Sequence, residues 1–262
     1  MAARIVMLDA MNIPITTVAE LGTILTVWAH PDDESYLAGG VMAIAADAGA
    51  PVTCVTATNG DFADGHANRF AIRATRRAEL AAALDELGVV DRVALDHPDG
   101  GCDRVDPARP VNELSRIICG RAPDTIITFG PDGFTGHPDH CAVSRWTLEA
   151  VRQTNSRARI LHPARTAAMH AVDVDITGRF PIFEAGHPTL HDDDEISVEV
   201  ELSERRLDTK LRALRAHTSQ TAGLIEAIGE PRFRTWVSVE TFVDAAAVGG
   251  PTARVPELHR SR

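Results

Sequence analysis

Thr23-Ile24-Leu25-Thr26-Val27-Trp28-Ala29-His30-Pro31-Asp32-Asp33-Glu34 joins a β-rich run to a histidine and adjacent carboxylates. β-branched and apolar side chains from Thr23 on predict a strand over Thr23 to Ala29. Ser35 to Ala48 continues in a helix-like pattern. The predicted helix opens at Asp33, where carboxylates in the first turn suit the positive end of the helix dipole, and ends at Gly49. Metal-ligating residue types at a strand-to-helix handover are where an α/β sheet keeps its chemistry.

Outward from this stretch the same alternation repeats. A β-branched run from Pro51 to Thr58 closes on the turn Asn59-Gly60-Asp61, and a helical pattern follows from Asn68 to Leu87. A strand over 92–95, a helix over 111–121 and a strand over 125–129 come next. A Gly-rich loop, 130–136, then leads into a helix opened by His137-Pro138-Asp139-His140 and reaching Gln153. This order predicts an α/β, Rossmann-like fold: a doubly wound, mostly parallel sheet with helices on both faces. The C-terminal part reads as a less regular β/α extension. Strands are expected over 160–162, 167–172, 196–202, 235–239 and 241–245, with an exposed loop over 186–195. A helix is expected over 203–217 and a short one after Gln220. The whole chain, 1–262, reads as one domain, with an N-terminal arm (1–20) that packs on the domain or on a partner subunit, and a flexible tail (249–262).

The formal net charge is -11 and Lys210 is the only lysine, with arginines scattered. A nucleic-acid partner is therefore not expected, since phosphate binding needs a cationic face. Cys54, Cys102, Cys119 and Cys141 show no C-x-x-C spacing, which fits reduced thiols. Residues 1–20 contain Arg4 and Asp9 and no sustained apolar run. The expectation is a cytoplasmic protein without a membrane segment, and a homo-oligomer is compatible with the arm.

Two motifs carry chemistry, each after a predicted parallel strand. Strands flanking a topological switch point bring such loops together. His30 and Asp33 with His140 would then form a two-histidine, one-carboxylate set with positions left for water and substrate. Asp32, diverging from its neighbour on the loop, is placed to accept a proton from water at the metal. His137, three residues before His140, is placed to steady the oxyanion of a tetrahedral intermediate. The implied chemistry is amide or ester hydrolysis.

Ala29-His30-Pro31-Asp32-Asp33-Glu34 with His137-Pro138-Asp139-His140 resembles the LmbE-like (PIG-L) family of zinc-dependent N-acetylglucosaminyl deacetylases. Thr58-Asn59-Gly60-Asp61, Arg76 with Glu79-Leu80, and His217-Thr218-Ser219-Gln220 are also similar to that family. The resemblance implies Zn2+, with Fe2+ as the other candidate ion, on His30, Asp33 and His140, with Asp32 as base and His137 as oxyanion stabiliser or acid. It further implies that Arg76 and Asp99 face the hydroxyls of a small amino-sugar conjugate. Mycothiol-pathway members place a tyrosine two residues before the histidine matching His137. Thr135 stands there in this chain, and Tyr36 is the only tyrosine.

Plainer readings compete. A single A-H-P-D-D-E can be an N-cap and turn, and His97-Pro98-Asp99 shows how readily one H-P-D arises. The pairing of two such motifs after two strands favours the metal centre. Three functions follow in order: a metal-dependent N-deacetylase; a metal-binding, catalytically weak or inactive sugar-conjugate binding protein of the same fold; and a nucleotide-binding protein, disfavoured because strand one lacks G-x-G-x-x-G and presents carboxylates where a phosphate would sit.

Overall fold

In the computed structural model, which describes residues 17–62 and 68–247, β1 (Ile24–Trp28) is buried along its whole length. A continuous apolar run is what a strand covered on both faces requires. The alternation continues through α1 (Asp33–Asp47), β2 (Val52–Thr58), α2 (Arg69–Glu86), β3 (Asp91–His97), α3 (Ala108–Arg121), β4 (Thr125–Thr128), α4 (Pro138–Thr154) and β5 (Arg159–Pro163). β6 (Arg165–Thr166), α5 (Ala167–Thr177), β7 (Leu190–His191), β8 (Ile196–Glu201), α6 (Glu204–Ala216), α7 (Thr218–Ile228), α8 (Glu230–Trp236) and β9 (Val239–Asp244) complete the order.

The main sheet has seven strands in the order β3-β2-β1-β4-β5-β9-β8. The first five run parallel, β9 pairs antiparallel with β5 and β8 antiparallel with β9, which gives the mostly parallel α/β sheet that the alternation predicts. Right-handed crossovers put α1 and α2 on one face and α3 and α4 on the other. Consistent with this, α1 and α2 both pack on α6, while α3 packs on α4. The stripe Val111, Leu114 and Ile118 is the buried face of α3.

Winding reverses between β1 and β4, which are direct neighbours. Val27 pairs with Thr128, so the residues that follow the two strands leave the same edge side by side. That register is what brings His30 and the 130–140 segment together, although they are over a hundred residues apart in sequence.

The C-terminal extension departs from expectation in three places. Residues 167–172 begin α5 and are not a strand; the segment is alanine-rich, and Thr166 accepts a hydrogen bond from Met169 N–H as an N-cap. The two strands expected over 235–245 are one, β9, because Thr235 and Trp236 finish α8, a helix with Pro231 in its first turn. Within 186–195, Leu190–His191 pairs with β6 and Asp193–Glu195 forms a 3-10 turn. Of the expected arm, Val18–Leu21 forms a 3-10 turn whose Val18 and Leu21 join the main core. Residues 1–16 and the expected tail, 249–262, lie outside the described residues.

A second, smaller core of Leu202, Leu207, Leu211, Leu214, Phe233 and Val237 sits beneath α6, α7 and α8. Among the described residues no helix is long and apolar enough to cross a membrane.

Candidate metal centre

His30 follows β1, Asp33 opens α1, and His140 lies in the first turn of α4. His30 Nδ1 is 3.2 Å from His140 Nε2, Asp33 Oδ2 is 3.7 Å from His30 Nδ1, and Asp33 Oδ1 is 3.5 Å from His140 Nε2. A tetrahedral ion bound at about 2.0–2.1 Å separates its ligand atoms by ~3.3 Å. The two histidine nitrogens stand at the separation one divalent ion requires and the Asp33 carboxylate spans them through its two oxygens; His30, His137 and His140 form a second compact set of possible ligands.

Hydrogen bonds around the rings settle which nitrogen offers a lone pair. His30 Nε2 faces Asp99 Oδ1 at 3.1 Å and Asp139 Oδ2 at 3.2 Å, so this nitrogen carries the proton and Nδ1 is left for an ion. His140 Nδ1 lies 3.1 Å from the Gly133 carbonyl and 2.9 Å from Thr135 Oγ1, which frees Nε2. Phe129 stacks on the His140 ring at 4.1 Å and fixes its plane. Gly133 holds φ +73°, and a Cβ there would come within 2.8 Å of Cys141 Sγ and 3.0 Å of Cys141 N, so a glycine is what lets its carbonyl reach His140.

His137 also approaches this cluster, its ring 4.9 Å from that of His30 and 5.1 Å from that of His140. Its Nδ1 accepts the Asp139 backbone N–H at 3.1 Å. Nε2 is then protonated, and the ring presents a donor instead of a lone pair.

The local field favours a cation. Burial opposes a charge on His30, yet the carboxylates of Asp139 and Asp99 hydrogen-bonded to it, with Asp33 close by, raise its pKa to about 10. Burial and then the charge of Asp33 push Asp32 up to about 7, against Arg76 and His217. Burial likewise raises Asp33 to about 6 and lowers His137 and His140.

Asp32 adopts φ 113°, a conformation that costs a non-glycine residue on the order of 1–3 kcal/mol. It is clamped there. Glu34 Oε2 accepts the Asp32 N–H at 2.9 Å, and Glu34 Oε1 accepts from Ser35 Oγ and lies 2.7 Å from His217 Nε2. Glu34 and His217 are both fully buried. On the other side the Arg76 guanidinium donates to the Pro31 carbonyl and, at 3.4 Å, to Asp32 Oδ2. Gly60, at φ +61°, leaves room for that guanidinium, which a Cβ would approach to 2.8 Å.

Asp32, Asp33, Thr135 and His137 line one end of a cleft of about 580 Å3. The structure thus gathers His30, Asp33, His137 and His140, and sets Asp32 on the same cleft wall as Asp33 and His137, with Arg76 behind it. Asp99 points at His30 and accepts the Phe62 N–H at 2.6 Å through its second oxygen. The Asp192–Glu195 run does not line the cleft. Three residues escaped sequence reasoning. Asp139 sits in full view inside H-P-D-H, where it also accepts the Gly100 and Cys102 N–H groups. Glu34 and His217, in motifs already singled out, meet across 183 residues that no local pattern spans.

The PIG-L family, described as GlcNAc-PI de-N-acetylase, matches residues 25–151. A probable N-acetyl-alpha-D-glucosaminyl L-malate deacetylase 2 of Bacillus cereus is 32% identical over 208 residues, which cover 78% of this chain and 86% of that protein. A 1D-myo-inositol 2-acetamido-2-deoxy-alpha-D-glucopyranoside deacetylase of Kineococcus radiotolerans is 33% identical over 159 residues, covering 49% of this chain and 44% of that protein. Among solved structures, N,N'-diacetylchitobiose deacetylase from Pyrococcus horikoshii superposes with a TM-score of 0.61 at 23% identity, over 88% of this chain and 87% of that one. That likeness shows a shared fold, and the extent of the Bacillus match carries membership: this chain belongs to the PIG-L family.

Proposed function

We propose that this chain is a metal-dependent hydrolase that removes an N-acetyl group from an N-acetylglucosamine-type conjugate, a small molecule. The observation that carries the reading is the convergence of His30 Nδ1, His140 Nε2 and the Asp33 carboxylate within 3.7 Å of one another, with Asp32 and His137 on the same cleft wall. These three residues would hold the ion, Zn2+ or Fe2+; bound there, it supplies Lewis acidity to the amide carbonyl.

The chain's own groups supply the rest. Asp32 takes the proton of the attacking water, its backbone held by Glu34 and its carboxylate oriented by Arg76. His137 donates its Nε2 proton toward the carbonyl oxygen as negative charge develops on it. Asp99 and Asp139 hold the His30 ring through Nε2. The similar proteins that bear deacetylase names support the amide as the bond cleaved.

The test is acetate release from N-acetylglucosamine conjugates by the zinc-loaded full chain. Asp32→Asn is expected to lose about 10²–10⁴-fold in kcat with zinc still bound. Unchanged turnover in that variant, or activity indifferent to chelation, would reject the mechanism.

A further inference from the structure

The end of the cleft that carries Asp32, Asp33, Thr135 and His137 is polar. Away from that end it runs between α1, α5, the segment 180–183, α7 and α8, and its walls are mainly apolar or aromatic: Tyr36, Met169, Phe180, Ile182, Leu224 and Trp236. Four of these lie on helices that also shape the walls around them, so this surface is built into the fold.

Most polar side chains along these walls are already engaged with a partner. Lys210 Nζ is 2.7 Å from Glu240 Oε1, both 1% exposed, and Glu240 also accepts the Gly40 and Val41 N–H groups. Arg165 is paired with Asp173, Thr241 Oγ1 donates to the Ala164 carbonyl, and Gln220 donates to Ser219 Oγ. A polyol or a dicarboxylic acid entering here would lose water and find few free partners, Arg165 Nε, the Tyr36 hydroxyl and the Trp236 indole N–H among them, too few to replace the hydration of several hydroxyls or carboxylates. An apolar group loses nothing and gains buried area. A volume of about 580 Å3 is far more than an acetyl group fills.

We infer that the substrate of this chain carries a bulky apolar group, alkyl or aromatic, beside the scissile amide. This rests on the reading of the centre as an amide-cleaving site, and it departs from the inositol and malate conjugates for which the similar proteins are named. The apolar group can belong to the aglycone or to the acyl chain; the chemistry of the wall is the same for both.

Binding tests this without turnover. Calorimetry on the zinc-loaded full chain compares free-amine glucosamine conjugates: octyl and phenyl glycosides against inositol and malate glycosides. The apolar pair is expected to bind at least about tenfold more tightly. A second comparison, N-octanoyl- against N-acetyl-glucosamine, assigns the group to the acyl side if the longer amide is the one preferred. Ile182→Asp, a cleft residue outside both hydrophobic cores, is expected to shrink whichever preference is found. No apolar preference in either comparison overturns the inference, as does a preference that Ile182→Asp leaves untouched. Apolar preference without any hydrolysis supports the cleft's role and removes the proposed reaction instead.

Discussion

Adjacent aspartates face different partners because the backbone turns sharply between them. Asp33 folds back to accept the His30 N–H at 2.8 Å and points at His140, while Asp32, at φ 113°, turns toward Arg76 and the cleft. The Asp139 carboxylate meets the centre at His30 Nε2. Asp139→Asn is therefore expected to weaken zinc binding about 10–100-fold, measured by competition with a chelating dye, without changing the number of ions bound. Behind Asp32, Glu34 and His217 form an ion pair sealed from water. Glu34→Ala leaves that imidazole buried without its partner and frees the Asp32 backbone. A loss of about 3–5 kcal/mol in urea unfolding is expected, against the near-zero effect of an exposed pair. The ligand types were legible in the two H-P-D motifs, since each needed only its own few residues. The Glu34–His217 contact was not, because it depends on where α6 ends relative to α1.

At the scale of elements, the loop from β4 to α4 joins the histidine ligand to the cleft wall. Its Gly133 carbonyl orients His140, and its Thr135 carbonyl accepts the Glu184 N–H, which ties the 180–183 wall to the metal end of the cleft. Gly133→Ala is expected to cost about 1–3 kcal/mol in urea unfolding and to lower zinc affinity as well, because strain at this position moves the His140 acceptor. Stability falling with zinc affinity unchanged would separate the loop from the ion. β1 through β5 and the helices between them were readable in sequence because strand and helix alternate with clear periodicity and turn residues. α5 and the α8–β9 boundary were not. There, short apolar segments suit helix and strand alike, and packing decides.

For the whole molecule, the site exists because β1 and β4 are neighbours in register at the point where the winding reverses. The sheet supplies rigidity and the loops beyond it supply the chemistry, as is general for doubly wound folds. α6, α7 and α8 complete the arrangement by walling the cleft and by delivering His217 to Glu34. The central claim is that two loops separated by over a hundred residues hold one ion through three side chains. Equilibrium zinc titration of the full chain beside His30→Ala and His140→Ala tests it most directly. The account predicts one tightly bound ion per chain, lost or weakened by several orders of magnitude in both variants; tight binding that survives either substitution would contradict it.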